Sequence, residues 1–140
     1  MVTLEAFYDP GPGSGFAIST PDQVDELLDR MVSESAEESV GLMAQVGRKE
    51  GEGWSSALQF GVRAAQRGFV GYMGSNGEAS AISDNGATSP EMLAYDYQCH
   101  EREVPSNAEI AVADVRQAVH DFVASGGARP AGVRWREVSY

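Results

Sequence analysis

The chain has 140 residues, of which 42% are hydrophobic and 22% charged, a globular composition that excludes a disordered chain. Its 21 acidic and 10 basic residues give a formal net charge of −11, which argues against direct nucleic-acid binding because phosphates are neutralised by Lys and Arg. No run reaches the ~18 apolar residues of a membrane span, so we expect no membrane partner.

Cysteine usage and the N-terminal sequence predict a cytoplasmic location. The first residues show no basic stretch followed by an apolar one, so we expect no signal peptide. The single Cys99 cannot form an internal disulfide, which suits a reducing compartment. One Cys and two His do not supply the usual four ligands of structural zinc, and we expect neither a metal nor a cofactor. We therefore expect one domain over residues 1–140.

The N-terminal part predicts a strand, a turn and a helix. Residues 2–8 alternate apolar and polar side chains, as a strand does. Residues 9–15 contain three glycines but lack both the full G-x-G-x-x-G spacing and a following helix start, which favours a turn over a phosphate loop. Thr20, Pro21 and Gln23 form a capping box, which predicts a helix that ends near residue 33 or 35.

The first helix carries an acidic stripe opposite its apolar face. Four acidic residues at helical spacing form this stripe: Asp22, Asp25, Glu26 and Asp29. Such a stripe is usually a solvated face, and the alternative is an electrostatic docking surface.

From residue 40 the hydrophobic period changes from helical to two, which predicts a meander of about four strands. Polar or glycine-containing stretches separate these strands, including a predicted loop at 48–56 and turns near 65–67, 75–77 and 85–86. The predicted strands cover residues 40–46, 58–63, 69–73 and 78–83.

The last third predicts a strand, a helix and a final strand. Residues 92–99 fit a strand, with a short helix as the alternative, and a charged loop follows to Pro105. A second helix covers 112–125, Gly126 or Gly127 ends it in a left-handed conformation, and residues 131–135 alternate as a strand. The sequence thus predicts an α+β fold, with an antiparallel sheet of about five to six strands and two main helices packed on one face.

Few residues suggest catalysis. Cys99 and His100 are adjacent, but neighbouring strand residues point to opposite faces, which disfavours a Cys–His dyad. Glu101 and Glu103 share a face of an extended chain, yet no sign of a cleft accompanies them. Trp54, in a polar loop, either covers the core edge or anchors a partner.

Several stretches in order resemble the immunity-protein-one family of bacterial polymorphic toxin systems. They include residues 19–28, Tyr95-Asp96-Tyr97, Val104-Pro105, residues 115–119 and 125–130, and Val133-Arg134-Trp135. One departure is Ala111, where a proline would be expected to open the second helix. The resemblance implies an α+β protein without catalytic residues that neutralises a secreted toxin by binding it, the toxin often targeting nucleic acids and sometimes having a deaminase fold.

Acidity and resemblance together predict a toxin partner with a basic surface, attracted at long range. The oligomeric state stays open between a monomer and a weak dimer. The alternatives are a small cytoplasmic enzyme or ligand-binding protein with a site near His100 and Cys99, and a homo-oligomer subunit. The residues predicted to bind the partner are Trp54, Tyr72, Asp84, Asp96, Tyr97, His100, Glu101 and Glu103.

Overall fold

The structure is a computed structural model that describes residues 3–8, 15–50, 53–74, 80–88, 91–98 and 100–138. Within these ranges the chain forms two helices, ten strands and a short 3₁₀ turn. The elements are β1 (Thr3–Phe7), β2 (Phe16–Ala17), α1 (Pro21–Glu38), β3 (Gly41–Glu50), β4 (Gly53–Arg63), β5 (Arg67–Met73), β6 (Ala81–Ser83), β7 (Met92–Tyr97), β8 (His100–Pro105), the 3₁₀ turn (Ser106–Ala108), β9 (Ile110–Ala111), α2 (Val112–Ala124) and β10 (Trp135–Glu137).

The strands form one sheet in the order β10-β6-β5-β4-β3-β1-β2, with β7, β8 and β9 attached beside this path. The predicted α+β class with two helices is confirmed. The predicted strand number of five to six is too low, because several two- and three-residue strands carry no alternation that a sequence reading detects. One pair is parallel: Gly41 and Leu42 of β3 pair with Tyr95 and Asp96 of β7.

The predicted loop at 48–56 is wrong for most of its length, since β3 continues to Glu50 and β4 begins at Gly53. The polar residues there are held in a long hairpin, in which Arg48 pairs with Ser56 before the register shifts. The Ser56 hydroxyl donates to the carbonyl of Gly127 at 2.7 Å, so this polar side chain is satisfied inside the fold.

Helix α1 begins as predicted and ends later than predicted. The Thr20 side chain accepts from the Gln23 amide, and the Gln23 side chain accepts from the Thr20 amide, which completes the capping box. The helix continues to Glu38 because the buried Ser35 hydroxyl donates to the Val40 carbonyl and accepts from the Ala64 amide, tying the last turn to the sheet.

Helix α2 lacks a side-chain cap at its N-terminus and is followed by glycines that end it. Ala111 at its N-cap provides no side-chain hydrogen bond. After the helix, Gly126 and Gly127 both have positive φ, at 73° and 112°, which confirms the predicted glycine terminus. The final strand begins at Trp135, where the predicted one ended, and the Trp135 indole donates to the Pro130 carbonyl across the preceding turn.

Buried side chains lie on both faces of the sheet. The larger cluster joins both helices to strands β1, β3, β4 and β5. The smaller cluster lies under the hairpin of β7 and β8 and contains Met43, Phe69, Ile82, Tyr95, Val104 and Ala108. The hairpin thus covers the second face of the sheet, as the two helices cover the first.

Other predictions fall partly or wholly outside the described residues. The glycine-rich turn predicted at 9–15 lies outside the described residues except for Gly15, and the turn predicted at 75–77 lies wholly outside them. The strand predicted at 78–83 is described only as β6, and residues 92–97 form a strand rather than the alternative helix. The predicted charged loop before Pro105 is wrong, because residues 100–105 pair with β7 as strand β8. Neither α1 nor α2 is long and apolar enough to cross a membrane.

Candidate partner-binding surface

The β7–β8 hairpin brings together five of the eight residues predicted to bind a partner. Six register pairs, from Met92 with Pro105 to Tyr97 with His100, align the two strands. Directly opposed residues share a face, and neighbours along a strand alternate faces. Leu93, Tyr95, Tyr97 and Val104 therefore lie on the face that packs against the smaller core cluster.

The other face of the hairpin is acidic, and we call it the outer face. It is formed by Met92, Ala94, Asp96, Glu101 and Glu103. Glu101 and Glu103 are exposed, Asp96 is half-buried, and the large apolar side chain of Met92 is 55% exposed. The predicted sharing of a face by Glu101 and Glu103 is confirmed.

The carboxylates of the outer face have no partner within the described part of the chain. Asp96 lies directly opposite Glu101, and like charges in that position destabilise a sheet. None of the described ion pairs includes Asp96, Glu101 or Glu103. In addition, the Oδ1 atom of Asp96 is buried without a hydrogen-bond donor among the described residues. A cation brought to this face would offset these unfavourable charges.

A buried ionic network holds the hairpin on the sheet. Glu109 is 4% exposed, and its carboxylate accepts two hydrogen bonds from the Arg63 guanidinium, at 3.0 and 2.6 Å, and one from the Tyr95 hydroxyl at 2.7 Å. This contact raises the pKa of Arg63 above its ordinary value. Burial, together with the bond to Glu109, raises the pKa of the Tyr95 hydroxyl.

Two glycines allow the Tyr95 ring to lie close to the sheet. A Cβ at Gly41 would meet the ring at 2.6 Å, and one at Gly61 would meet it at 2.8 Å. Real Cβ contacts are essentially never that short, so only glycine fits at these positions. The Phe69 ring packs edge-on against Tyr95 with centroids 5.0 Å apart. The hairpin is therefore fixed by packing as well as by the ionic network.

Three predicted site residues lie elsewhere. The backbone of Trp54 pairs with Lys49, at the end of β3 opposite to the hairpin, and its side chain is outside the described atoms. Tyr72 is 5% exposed and packs between Phe122 and Trp135 in the larger core. The structure does not bring either residue to the outer face.

Asp84 is held by its own loop. Its amide donates to the Arg134 carbonyl, its side chain accepts from the Gly86 amide at 2.9 Å, and it lies 3.8 Å from the Arg134 guanidinium. Its side chain is 19% exposed. Asp84 thus stabilises the turn at 85–86 rather than adding to the outer face.

The remaining two predicted residues lie at the hairpin tip on the inner face. Tyr97 packs against the smaller core, and burial raises the pKa of its hydroxyl. His100 is exposed opposite Tyr97, while Cys99 lies outside the described residues. Two cavities, of about 230 and 190 Å³, are lined by other residues, near Phe16 and near Ser55. No group of three His, Cys, Asp or Glu side chains among the described residues could hold a metal ion.

The acidic stripe of α1 is divided between solvent and the second helix. Asp25 and Asp29 each accept from the Arg116 guanidinium of α2, at 2.9 and 2.7 Å, and Asp25 also contacts His120 at 2.8 Å. The contact with His120, then that with Arg116, holds the pKa of Asp25 below its ordinary value. Asp22 and Glu26 are exposed. Half of the stripe therefore joins the helices.

Sequence reasoning missed two features of this region. Met92 carried no signal, because it stands in an ordinary strand pattern. The pairing of Arg63 with Glu109 spans 46 positions and leaves no local pattern, although a lone acid within an otherwise apolar stretch is a hint of burial with a partner.

The chain is similar to a known protein family. The family model described as Immunity protein Imm1 matches residues 13–137. A search of curated proteins found no match.

Proposed function

Because this chain belongs to the Immunity protein Imm1 family, we propose that it neutralises a cognate toxin by binding it through the outer face of the β7–β8 hairpin. The membership supports the immunity role. The single observation that supports the site is the set of three carboxylates on this face, none of which is paired within the described residues.

The proposed partner surface is basic. Three acids, next to the exposed Met92, complement a patch of Arg and Lys around a small apolar contact. Unpaired charges of one sign accelerate the association of an oppositely charged partner, and Met adapts its shape to an apolar contact. Toxins that act on nucleic acids need a basic surface, and the net charge of −11 adds long-range attraction to such a surface. We therefore propose a nucleic-acid-targeting toxin, with a deaminase as one candidate.

The rigidity of the hairpin favours this role. The outer face lies on two paired strands that Tyr95, Glu109 and the glycine contacts hold on the sheet. A preorganised surface loses little conformational entropy on binding, which favours tight association.

The experiment uses the toxin domain encoded beside this chain's gene. The double variant Glu101→Lys/Glu103→Lys is compared with Glu26→Lys/Glu37→Lys, which changes the net charge equally at exposed positions of α1. We expect the hairpin variant to lose at least tenfold in association rate and to fail to protect cells that express the toxin, since interface charges mainly affect association. We expect the control variant to keep most of its association rate and most of its protection of the cells.

Two outcomes contradict different parts of the proposal. If the unmodified chain neither binds nor protects against the toxin, the immunity role with this partner is wrong. If both double variants lose affinity equally, only the net charge matters, and the assignment to the hairpin is wrong.

A further inference from the structure

Strand β8 is an exposed edge strand with a regular register. Among the described residues it pairs only with β7, and its six register pairs show no shift. Four consecutive residues, His100 to Glu103, are exposed, so neither face of this part of the strand is covered. An edge strand presents a row of unpaired backbone N–H and C=O groups, which can pair with a further strand.

The hydrogen-bond alternation identifies the outward groups of β8. The Ser106 amide donates to the Glu91 carbonyl at 2.6 Å, so Glu91 and Ser106 form a hydrogen-bonded pair. This pair is the neighbour of the register pair Met92 and Pro105. Antiparallel ladders alternate hydrogen-bonded and non-hydrogen-bonded pairs. Arg102 therefore directs its N–H and C=O toward β7, whereas Glu101 and Glu103 direct theirs away from it.

The two outward-facing residues also carry the acidic side chains. Glu101 and Glu103 thus combine four outward backbone groups with two carboxylates on the outer face. Of these backbone groups, the Glu101 carbonyl accepts a long hydrogen bond, 3.5 Å, from the Arg102 guanidinium. Pro105, the next outward position, has no N–H and ends the available row. The open stretch is therefore short and has a definite end.

We propose that β8 binds an extended segment of the toxin as an additional strand, paired with Glu101 and Glu103, and that this segment carries Arg or Lys at the facing positions. This inference rests on the proposed function and adds to it the mode of binding. Backbone pairing gives affinity, and the alternate side chains give specificity.

Charge selects this occupant over a second copy of the chain. Two β8 strands that paired antiparallel about Arg102 would place Glu101 of one copy opposite Glu103 of the other. Like charges directly opposite are destabilising, whereas a basic segment at the same place forms favourable cross-strand pairs.

The test compares Glu103→Pro with Glu103→Gln, using the toxin domain encoded beside this chain's gene as the probe. Both variants remove the charge, but only proline removes the outward N–H, which β7 does not use. We expect glutamine to weaken binding severalfold and proline to weaken it at least tenfold more, because a buried carbonyl of the toxin loses its donor. Equal urea midpoints of the two variants show that the hairpin is intact.

Amide exchange in the unmodified chain gives a second measurement that needs no variant. We expect the Glu101 and Glu103 amides to exchange fast in the free protein and to become protected in the complex, while the Arg102 amide is protected in both. The inference is overturned if the toxin binds but the two amides stay unprotected, or if proline and glutamine bind equally. It is also overturned if Glu103→Pro abolishes a dimer of this chain. Absence of toxin binding by the unmodified chain would instead remove the proposed function itself.

Discussion

Replacing Tyr95 with Phe tests whether the buried ionic network holds the hairpin on the sheet. The substitution keeps the ring that packs on Gly41 and Gly61 and removes only the hydroxyl that donates to Glu109 at 2.7 Å. A hydrogen bond to a buried charged group contributes about 1.5–3 kcal/mol. Since Arg63 still donates two hydrogen bonds to the same carboxylate, we expect a loss near the lower end, about 2 kcal/mol.

A double-mutant cycle isolates the contact. In a Glu109→Gln background the acceptor is neutral, and the same Tyr95→Phe change should cost only about 0.5–1.5 kcal/mol. The coupling energy between the two positions is thus about 1 kcal/mol.

The free energy of unfolding is measured by urea titration of the four proteins, with tryptophan fluorescence and circular dichroism as two probes of one transition. A cost of less than about 0.5 kcal/mol for Tyr95→Phe in the unmodified background would show that the hydroxyl does not hold the hairpin. An equal cost in both backgrounds would show that its hydrogen bond does not depend on the charge of Glu109.

Burial raises the pKa of Tyr95, so the folded chain keeps a proton that the unfolded chain loses near the ordinary value of 10.0. The free energy of unfolding should therefore fall as pH rises above about 10, and it should fall less steeply for Tyr95→Phe. Urea midpoints measured over about pH 9–11, the range around the ordinary tyrosine pKa, check this. Gly61→Ala should lower the free energy of unfolding by about 1–3 kcal/mol through overpacking against Tyr95 and Phe69, whereas Gly71→Ala, where the nearest atom to the added Cβ is 3.8 Å away, should cost less; equal losses would disprove the close-approach reasoning. Thr20→Ala removes the acceptor for the Gln23 amide and should cost about 1 kcal/mol in thermal or urea unfolding. His120 and Arg116 lower the pKa of Asp25, so the contribution of this carboxylate to stability is present above the ordinary value of 3.8 and is lost as pH falls through the lower folded value. Asp25→Asn should therefore be less stable than the unmodified chain at pH 7, and the difference in the free energy of unfolding should shrink in acid. A difference that stays constant into acid would contradict the assigned contacts.

Local signals predicted much of the fold. The capping box at Thr20 and Gln23 and the glycines after α2 act within a few residues, so their chemistry is visible in the sequence and the structure confirms both. The strand at 92–97 was also visible from its alternation. The prediction failed over most of 48–56, where the residues at 48–50 and 53–56 form strands because a long hairpin partner supplies their backbone bonds.

The candidate surface was only partly predictable. The sequence placed Asp96, Glu101 and Glu103 in one acidic segment but assigned the residues before Pro105 to a loop. Only the pairing of β8 with β7 shows that Asp96 lies on the face that Glu101 and Glu103 share, and that these two residues lie at an open edge. Tyr72 was predicted as a contact residue, yet its neighbours Phe122 and Trp135 come from the far end of the chain and enclose it.

The sequence by itself determined the acidic charge, the two amphipathic helices and the family resemblance, because each depends on residue type and short spacing. The tertiary structure alone decided which charges are satisfied. Glu109 is neutralised by Arg63, 46 positions away, and Asp25 by Arg116, 91 positions away, whereas the acids of the outer face have no such partner among the described residues. Charge compensation requires contact in space, and contacts between distant segments are set by the folding of the whole sheet rather than by any local pattern.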